Sequence, residues 1–141
     1  MARENDYIRR RRTTVNVQAD WNATDGDAYI KNKPSSGGIG SISTTSSLTI
    51  NMTTYRHYRI TALASALTIN APLNPVDGYT LLLEIEDNGT TRALTWNAVF
   101  SDVYSGASLP NDTTAGKNHI LLFVYNSTKT KWELFAADVE S

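Results

Sequence analysis

The sequence of 141 residues contains no cysteine. A disulfide framework and a thiolate metal site are therefore both excluded. It also lacks any run of about 18 apolar residues, the length that a membrane-spanning helix needs. The charged N-terminal segment is not followed by the apolar stretch of a secretory signal. We therefore expect a soluble protein that has no membrane partner and folds without covalent cross-links.

Residues that carry chemistry are scarce. Histidine occurs only as His57 and His119, and neither has a partner at metal-ligand spacing, so both are expected to be ordinary strand residues. The sequence has no GxSxG, Walker A or dinucleotide-binding motif. Glu84 and Glu86 share one strand face, as a candidate glycosidase carboxylate pair would, but a polar outer strand face also explains them. The sequence predicts no enzyme activity, cofactor or metal.

Charge is unevenly distributed along the chain. Residues 1–40 hold 7 basic and 5 acidic side chains, whereas residues 41–141 hold 6 basic and 9 acidic ones. The basic excess comes from four consecutive arginines, Arg9, Arg10, Arg11 and Arg12. Such a run stays solvated unless an anionic partner neutralises it. It is either an anchor for an acidic surface or a solubilising tail. Nucleic acid is the less favoured partner, because no aromatic residues interleave with the run.

The hydrophobic pattern divides the chain into three parts. Residues 1–34 are polar with scattered apolar positions, and residues 35–47 read as a Gly/Ser/Thr linker. In residues 48–141, apolar positions alternate with polar ones. Leu48, Ile50 and Met52 form one such run, and the period of two predicts strands with one buried face. No window carries a helical period.

One hairpin is predicted in register. The dipeptide NG at residues 88–89 is the strongest short hairpin signal, because both turn residues tolerate a positive φ. Counting outward from a two-residue loop pairs Leu83 with Leu94 and Leu81 with Trp96. All four side chains then lie on one face, so the turn and the alternation of the two strands agree.

A second hairpin is predicted between residues 120–125 and 131–136, joined by a polar loop. The long segment 101–118, between the two hairpins, is either a binding loop or a tolerated surface loop. Short strands separated by turn signals indicate an all-β fold. We expect about seven or eight strands, mostly antiparallel, in a β-sandwich or jelly-roll-like domain.

Several aromatic residues could stack on sugars. Tyr104, Tyr125 and Trp132, with neighbouring Asn and Asp side chains, provide the residue types from which a carbohydrate site is built. Packing in the core or between subunits is the alternative, and it is favoured for Trp96. Tyr104, Tyr125 and Trp132 are therefore the candidate glycan contacts.

One segment has a distinctive pattern. It resembles the QADWN-x-TD-x-x-x-A-x-IKNKP collar-like motif of tailed-bacteriophage fibre and appendage proteins. The matching residues are Gln18, Asp20, Trp21, Asn22, Thr24, Asp25, Ala28, Ile30, Lys31, Asn32, Lys33 and Pro34. The spacer between Asp25 and Ala28 is shorter than in many members of that group. Residues 48–141 are similar, more loosely, to the small β domains that follow such motifs.

The resemblance implies a virion protein, assembled in the bacterial cytoplasm and forming a homotrimer. Residues 1–34 would be an extended arm that anchors a β knob to other capsid or collar proteins. The implied anchoring residues are the four arginines together with Asp20, Trp21, Asn22, Tyr29, Ile30, Lys31, Asn32, Lys33 and Pro34. A chain of this length with one knob suits a short head fibre or a capsid-decoration protein.

Three alternatives stay open at the level of sequence. A short tail or collar fibre would bind a receptor such as a host-surface glycan. A carbohydrate-binding module would carry a preformed sugar site on segment 101–118. A glycan hydrolase would lose activity when Glu84 or Glu86 is replaced by glutamine. For the virion interpretation, the polar arm needs a partner, because residues 1–34 have too few apolar residues to build a core.

Overall fold

The computed structural model describes residues 38–102, 106 and 108–140. The chain divides into two units, Met1–Pro34 and Ser35–Ser141, and every described residue belongs to the second. The described residues form strands and no helix, which confirms the all-β class. The strands are β1 (Gly38–Ile42), β2 (Ser47–Leu48), β3 (Tyr55–Leu63), β4 (Leu67–Ile69), β5 (Thr80–Asp87), β6 (Leu94–Trp96), β7 (Phe100–Ser101), β8 (Asn118–Asn126) and β9 (Lys131–Val139).

Two sheets share one hydrophobic core. The larger sheet has the order β1-β3-β5-β8-β9-β7, and the smaller has the order β2-β4-β6. Successive strands from β1 to β6 thus alternate between the sheets, so the chain winds through three stacked coils in the manner of a β-solenoid. Within the larger sheet the coils align Ile39 with His57 and His57 with Leu82. The β8–β9 hairpin follows the third coil.

The prediction of mostly antiparallel pairing is wrong. Among the described residues, five strand pairings are parallel, and only the β5–β8 and β8–β9 pairings are antiparallel. Each strand of the coils pairs with the equivalent strand of the next coil along the chain, and the two strands therefore run in the same direction. Alternating hydrophobicity reports a half-buried face and carries no information on strand direction.

The hairpin predicted at residues 88–89 does not form. Leu83 pairs with Leu121 on β8, and Leu94 pairs with Leu67 on β4, so the two flanking strands belong to different sheets. The chain turns here to cross from one sheet to the other. Leu83 and Leu94 are both buried in the common core, which is why their alternation also fitted the wrong pairing.

The local geometry shows how residues 88–89 are used instead. Gly89 has a φ of 88°, whereas Asn88 is not among the described residues with positive φ. A type I′ turn, which needs a positive φ at both residues, is therefore absent. The Gly89 amide donates to Asp87 Oδ1 at 2.9 Å, and the Asn88 amide donates to the Leu63 carbonyl at 3.2 Å. The dipeptide ends β5 as an Asx turn.

The second predicted hairpin is confirmed. Asn126 pairs with Lys131, and the intervening residues 127–130 form the turn, with Thr130 at a φ of 55°. Both strands extend beyond the predicted ranges. A register shift between Leu122 and Phe123 adds one residue to β9, and a bulge of this kind re-aims nearby side chains.

The alternation predicted for residues 48–52 is also confirmed. Leu48, Ile50 and Met52 are 5%, 2% and 1% exposed, respectively. In β3 the alternation holds at Ile60 but then shifts by one residue, so that Leu63 is buried. The cause is an irregularity between Ile60 and Leu63 in the pairing with β5.

Segment 35–47 is not simply a linker. Gly38–Ile42 forms β1, which pairs in parallel with β3. A strand with two glycines is unexpected, since glycine weakens strands, but Gly40 has a packing reason. A Cβ atom at Gly40 would overlap the ring of Tyr58 and approach Tyr55. The absence of a side chain therefore allows β1 to lie against these two rings, which pack edge to face at 5.7 Å.

This packing predicts a specific loss of stability. Gly40→Ala should lower the free energy of unfolding by about 1–3 kcal/mol, because the added methyl group overpacks the Tyr58 contact. Gly38→Ala is the matched control, because a Cβ there would meet its nearest atom, the Thr54 carbonyl oxygen, at an ordinary 3.7 Å. Urea denaturation of the two variants checks the difference. Equal stabilities would contradict the role assigned to Gly40.

Candidate functional site

The predicted anchoring residues cannot be compared with the structure. The four-arginine run (residues 9–12), all the motif residues between 18 and 34, and Tyr104 lie outside the described residues. Their roles remain predictions. Of the candidate glycan contacts, Tyr125 and Trp132 are described.

The prediction that Trp132 contacts a ligand is wrong. Its side chain is only 1% exposed and is part of the core. Its ring packs against Tyr125, with the ring centroids 5.1 Å apart. Trp132 lies on the inner face of β9 near the turn of the β8–β9 hairpin, where it packs the hairpin against the core.

The packing role favoured for Trp96 is confirmed, although the strand pairing first used to support it is wrong. The Trp96 ring lies 5.3 Å from Phe100 and 5.8 Å from Phe123. Its indole Nε1 donates to the Pro110 carbonyl at 2.7 Å. Such a bond satisfies the one polar group of a half-buried tryptophan. The described part of segment 101–118 is thereby tied to the core.

Tyr125 lines a cavity of about 470 Å³ at the turn end of the β8–β9 hairpin. We call it the hairpin-end cavity. It combines carboxylate, amide and hydroxyl groups with apolar and aromatic side chains. The lining residues are Asp77, Gly78, Val124, Tyr125, Asn126, Thr128, Glu133 and Phe135.

Backbone hydrogen bonds fix one wall of the hairpin-end cavity. The Gly78 amide donates to the Tyr125 carbonyl at 2.9 Å, and the Tyr125 amide donates to the Tyr79 carbonyl at 2.8 Å. The Ser127 amide donates to Asp77 Oδ1 at 2.8 Å. The turn before β5 and the turn after β8 are thus joined. Gly78 has a φ of 77°, a conformation that glycine adopts without strain.

The second wall is held by an ion pair. Glu133 is buried, at 3% exposure. Its Oε1 accepts from Lys129 Nζ at 2.6 Å, and its Oε2 accepts from Asn126 Nδ2 at 3.3 Å. Asn126 Oδ1 in turn accepts from the Lys129 amide at 3.2 Å. These bonds fix the carboxylate at the edge of the cavity.

Both carboxylates of the cavity are anionic at neutral pH. The hydrogen bond from Lys129 lowers the pKa of Glu133, against the opposing effect of burial. Hydrogen bonds from Ser127 lower the pKa of Asp77. The lining thus contains two carboxylates and no cationic side chain. Lys129, which pairs with Glu133, offsets one of the two negative charges, so the lining has an acidic excess.

A buried polar cluster lies on the opposite side of the domain, where β5 ends. Asp87 Oδ2 accepts from the Thr113 hydroxyl at 2.5 Å, and Asp87 Oδ1 accepts from the Gly116 and Gly89 amides at 2.7 and 2.9 Å. Burial raises the pKa of Asp87, but these bonds together outweigh burial and the pKa lies below its ordinary value. These hydrogen bonds all join Asp87 to loops of the same domain. We call this cluster the Asp87 latch, because it holds the end of β5 against residues 113–116.

His119 lies next to this latch as a buried strand residue. Its Nε2 accepts from the Thr114 amide at 2.8 Å, which requires that nitrogen to be unprotonated. Burial lowers the pKa of His119, and the charge of Asp87 opposes the shift only in part. His119 is therefore neutral, and it fixes the loop before β8.

The glutamates that suggested a catalytic pair have the arrangement of an outer sheet face. Glu84 hydrogen-bonds His57, accepts from Arg59 Nε at 3.1 Å, and accepts from Asn118 Nδ2 at 3.3 Å. Burial raises the pKa of Glu84, but the bonds from Arg59, His57 and Asn118 lower it further than burial raises it. Glu86 is exposed. Contacts with side chains of the neighbouring strands β3 and β8 therefore explain the position of the Glu84 carboxylate.

No group of three or more His, Cys, Asp or Glu side chains in residues 38–102, 106 and 108–140 could hold a metal ion. Within the described strands and loops, there is also no helix long and apolar enough to cross a membrane. Comparison with known proteins gives no matching family model, no matching curated protein and no matching solved structure.

Sequence reasoning identified one residue of the hairpin-end cavity, Tyr125, and missed its polar partners. The polar turn that contains Thr128 was recognised only as a loop. Asp77 lies about 50 residues before Ser127, and only the folded chain brings the two together. The Asp-Gly pair at residues 77–78 was the signal available in the sequence, since it indicates a turn.

Proposed function

We propose that this chain is a structural protein of a bacteriophage virion. It forms a short homotrimeric head fibre or capsid-decoration protein, with residues 1–34 as the anchoring arm. The β domain is displayed outward for attachment to the host surface. The observation that carries the proposal is the motif between Gln18 and Pro34, which resembles the collar-like motif of phage fibre proteins over twelve matching positions.

The distribution of charge supports an anchoring role for the arm. Residues 1–40 carry the four-arginine run and a net positive charge, whereas residues 41–141 carry three more acidic than basic groups. An arm of this kind suits an acidic protein surface on the particle. The aromatic and aliphatic motif residues Trp21, Tyr29 and Ile30 supply apolar anchors within that polar segment.

The outer face of the larger sheet supports a homo-oligomer. Leu82 and Leu122 are paired on β5 and β8, and Ile120 lies on the same face as Leu122. All three are half-buried. A contiguous row of apolar side chains on an outer sheet face is typical of a surface that contacts another protein. A closed three-fold assembly would cover this row on each copy.

A short tail or collar fibre with a receptor-binding role is the second candidate. The hairpin-end cavity favours this candidate. A receptor-binding domain needs a preformed ligand site, and this cavity of about 470 Å³ would provide it. The position of the protein on the particle distinguishes the two candidates. Labelling on the capsid supports the head fibre, and labelling on the tail or collar supports the alternative.

Electron microscopy of particles labelled with an antibody against the β domain should place this chain on the virion. Light scattering of the purified full-length chain should give about three times the 15.5 kDa mass of one copy. A chain that is monomeric and absent from purified particles would overturn the proposal. A particle-bound chain of another stoichiometry would overturn the trimer alone.

A further inference from the structure

We propose that the hairpin-end cavity is a saccharide site that takes a neutral or amino sugar and rejects acidic sugars. The inference rests on the attachment role proposed above and names the ligand class and the site for it. The two can fail separately, because sugar binding is measured on the purified chain and virion localisation on particles.

The size of the cavity suits one or two sugar rings. Its volume is about 470 Å³, within the roughly 300–1,000 Å³ of small-molecule sites. The cavity is bordered by β8, β9, the 127–130 turn and the turn before β5. Since the bonds between these turns are already formed, the ligand would not have to order the site on binding.

The lining matches the two faces of a sugar ring. Val124, Tyr125 and Phe135 provide apolar and aromatic surface for the C–H face of a pyranose. Phe135 lies where the register shift of β9 occurs and is 54% exposed. Thr128, Asn126 and the carboxylates of Asp77 and Glu133 provide polar atoms in the same lining. This pairing of apolar surface with a few placed polar groups is typical of a ligand site.

The polar groups favour hydroxyl donors over anions. Asp77 and Glu133 are each held by protein donors, and a carboxylate has about four lone-pair positions, so both keep acceptor capacity for ligand hydroxyls. Their combined charge exceeds that of Lys129. A ligand carboxylate in the cavity would therefore be repelled, whereas a neutral hydroxyl or a sugar ammonium would not.

The test is an NMR titration of the ¹⁵N-labelled full-length chain. The probes are methyl glycosides of glucose, galactose, mannose, N-acetylglucosamine and glucosamine, set against glucuronate and N-acetylneuraminate. At least one neutral or amino sugar should shift the amide signals of Gly78, Asn126 and Ser127 saturably. The acidic sugars should bind at least tenfold more weakly. No saturable shift with any neutral or amino sugar, or equal binding of acidic sugars, would overturn the proposal.

Three variants separate a ligand role from a structural one. Asp77→Asn keeps an acceptor for the Ser127 amide and removes a charge, so it should strengthen the binding of glucuronate severalfold. Thr128→Trp, at an exposed turn position, should abolish binding while the spectrum outside the cavity stays unchanged. Asp138→Asn, on β9 outside the cavity lining, is the control and should leave both affinities unchanged. Unaltered sugar preference in Asp77→Asn would contradict the assigned role of that carboxylate.

Discussion

Removal of residues 1–34 is expected to leave the β domain folded and to abolish its attachment to particles. The core supports the first half of this prediction, because the buried hydrophobic cluster among the described residues runs from Leu48 to Leu134. The proposed anchoring role of the motif supports the second half. Thermal unfolding followed by circular dichroism measures the fold. Co-sedimentation with particles that lack the protein measures attachment.

A second variant distinguishes charge from motif in the same experiment. Replacing the four arginines of residues 9–12 with glutamine should weaken co-sedimentation and make it less sensitive to salt, since exposed charges are screened. The motif at residues 18–34 stays intact in this variant. Full attachment by the chain without residues 1–34 would contradict the anchoring role of the arm.

Asp87→Asn is expected to lower the free energy of unfolding by about 3 kcal/mol, because hydrogen bonds to a charged group are each worth about 1.5–3 kcal/mol. Asp87 is 3% exposed and accepts from Thr113, Gly116 and Gly89. An asparagine would turn its amide group toward one of these donors. Urea denaturation at neutral pH measures the loss. The exposed neighbouring variant Glu86→Gln should change stability by less than about 0.5 kcal/mol.

The loss of stability caused by Asp87→Asn should depend on pH. The pKa of Asp87 is lower in the folded state than its ordinary value, so its contribution is complete above about pH 4. It is lost as the pH falls through the folded-state pKa. The stabilities of wild type and Asp87→Asn should therefore converge in acid. His119, whose pKa is lowered by burial, acts in a separate window below about pH 6.5. A difference that does not change with pH would contradict the ionised latch.

Within residues 48–52, the alternation of apolar residues correctly predicted which side chains are buried, whereas in β3 it did not predict the burial of Leu63. Leu48, Ile50 and Met52 were assigned to one face from their spacing alone, and so were the two strands of the late hairpin. These features depend on neighbours within a few residues. The period of two and a polar turn between strands are local consequences of backbone geometry.

Strand pairing could not be read in the same way. Residues 88–89 look like a hairpin turn, but Gly89 and Asn88 bond to Asp87 and Leu63 instead. Aligned positions in successive coils, such as Ile39, His57 and Leu82, are 18 and then 25 residues apart. Coils of unequal length produce no period in the sequence. The sequence therefore indicated the individual strands but not their parallel pairing.

The sequence by itself determined the all-β class, the buried positions between residues 48 and 52, and the two-part distribution of charge, because each depends on residue type and short-range spacing. The tertiary structure alone decided the strand order, the latch at Asp87 and the hairpin-end cavity. Each of these joins residues far apart along the chain, as when Asp77 meets Ser127 or Asp87 meets Gly116. Such contacts arise from the packing of the two sheets around one core, and no local pattern encodes them.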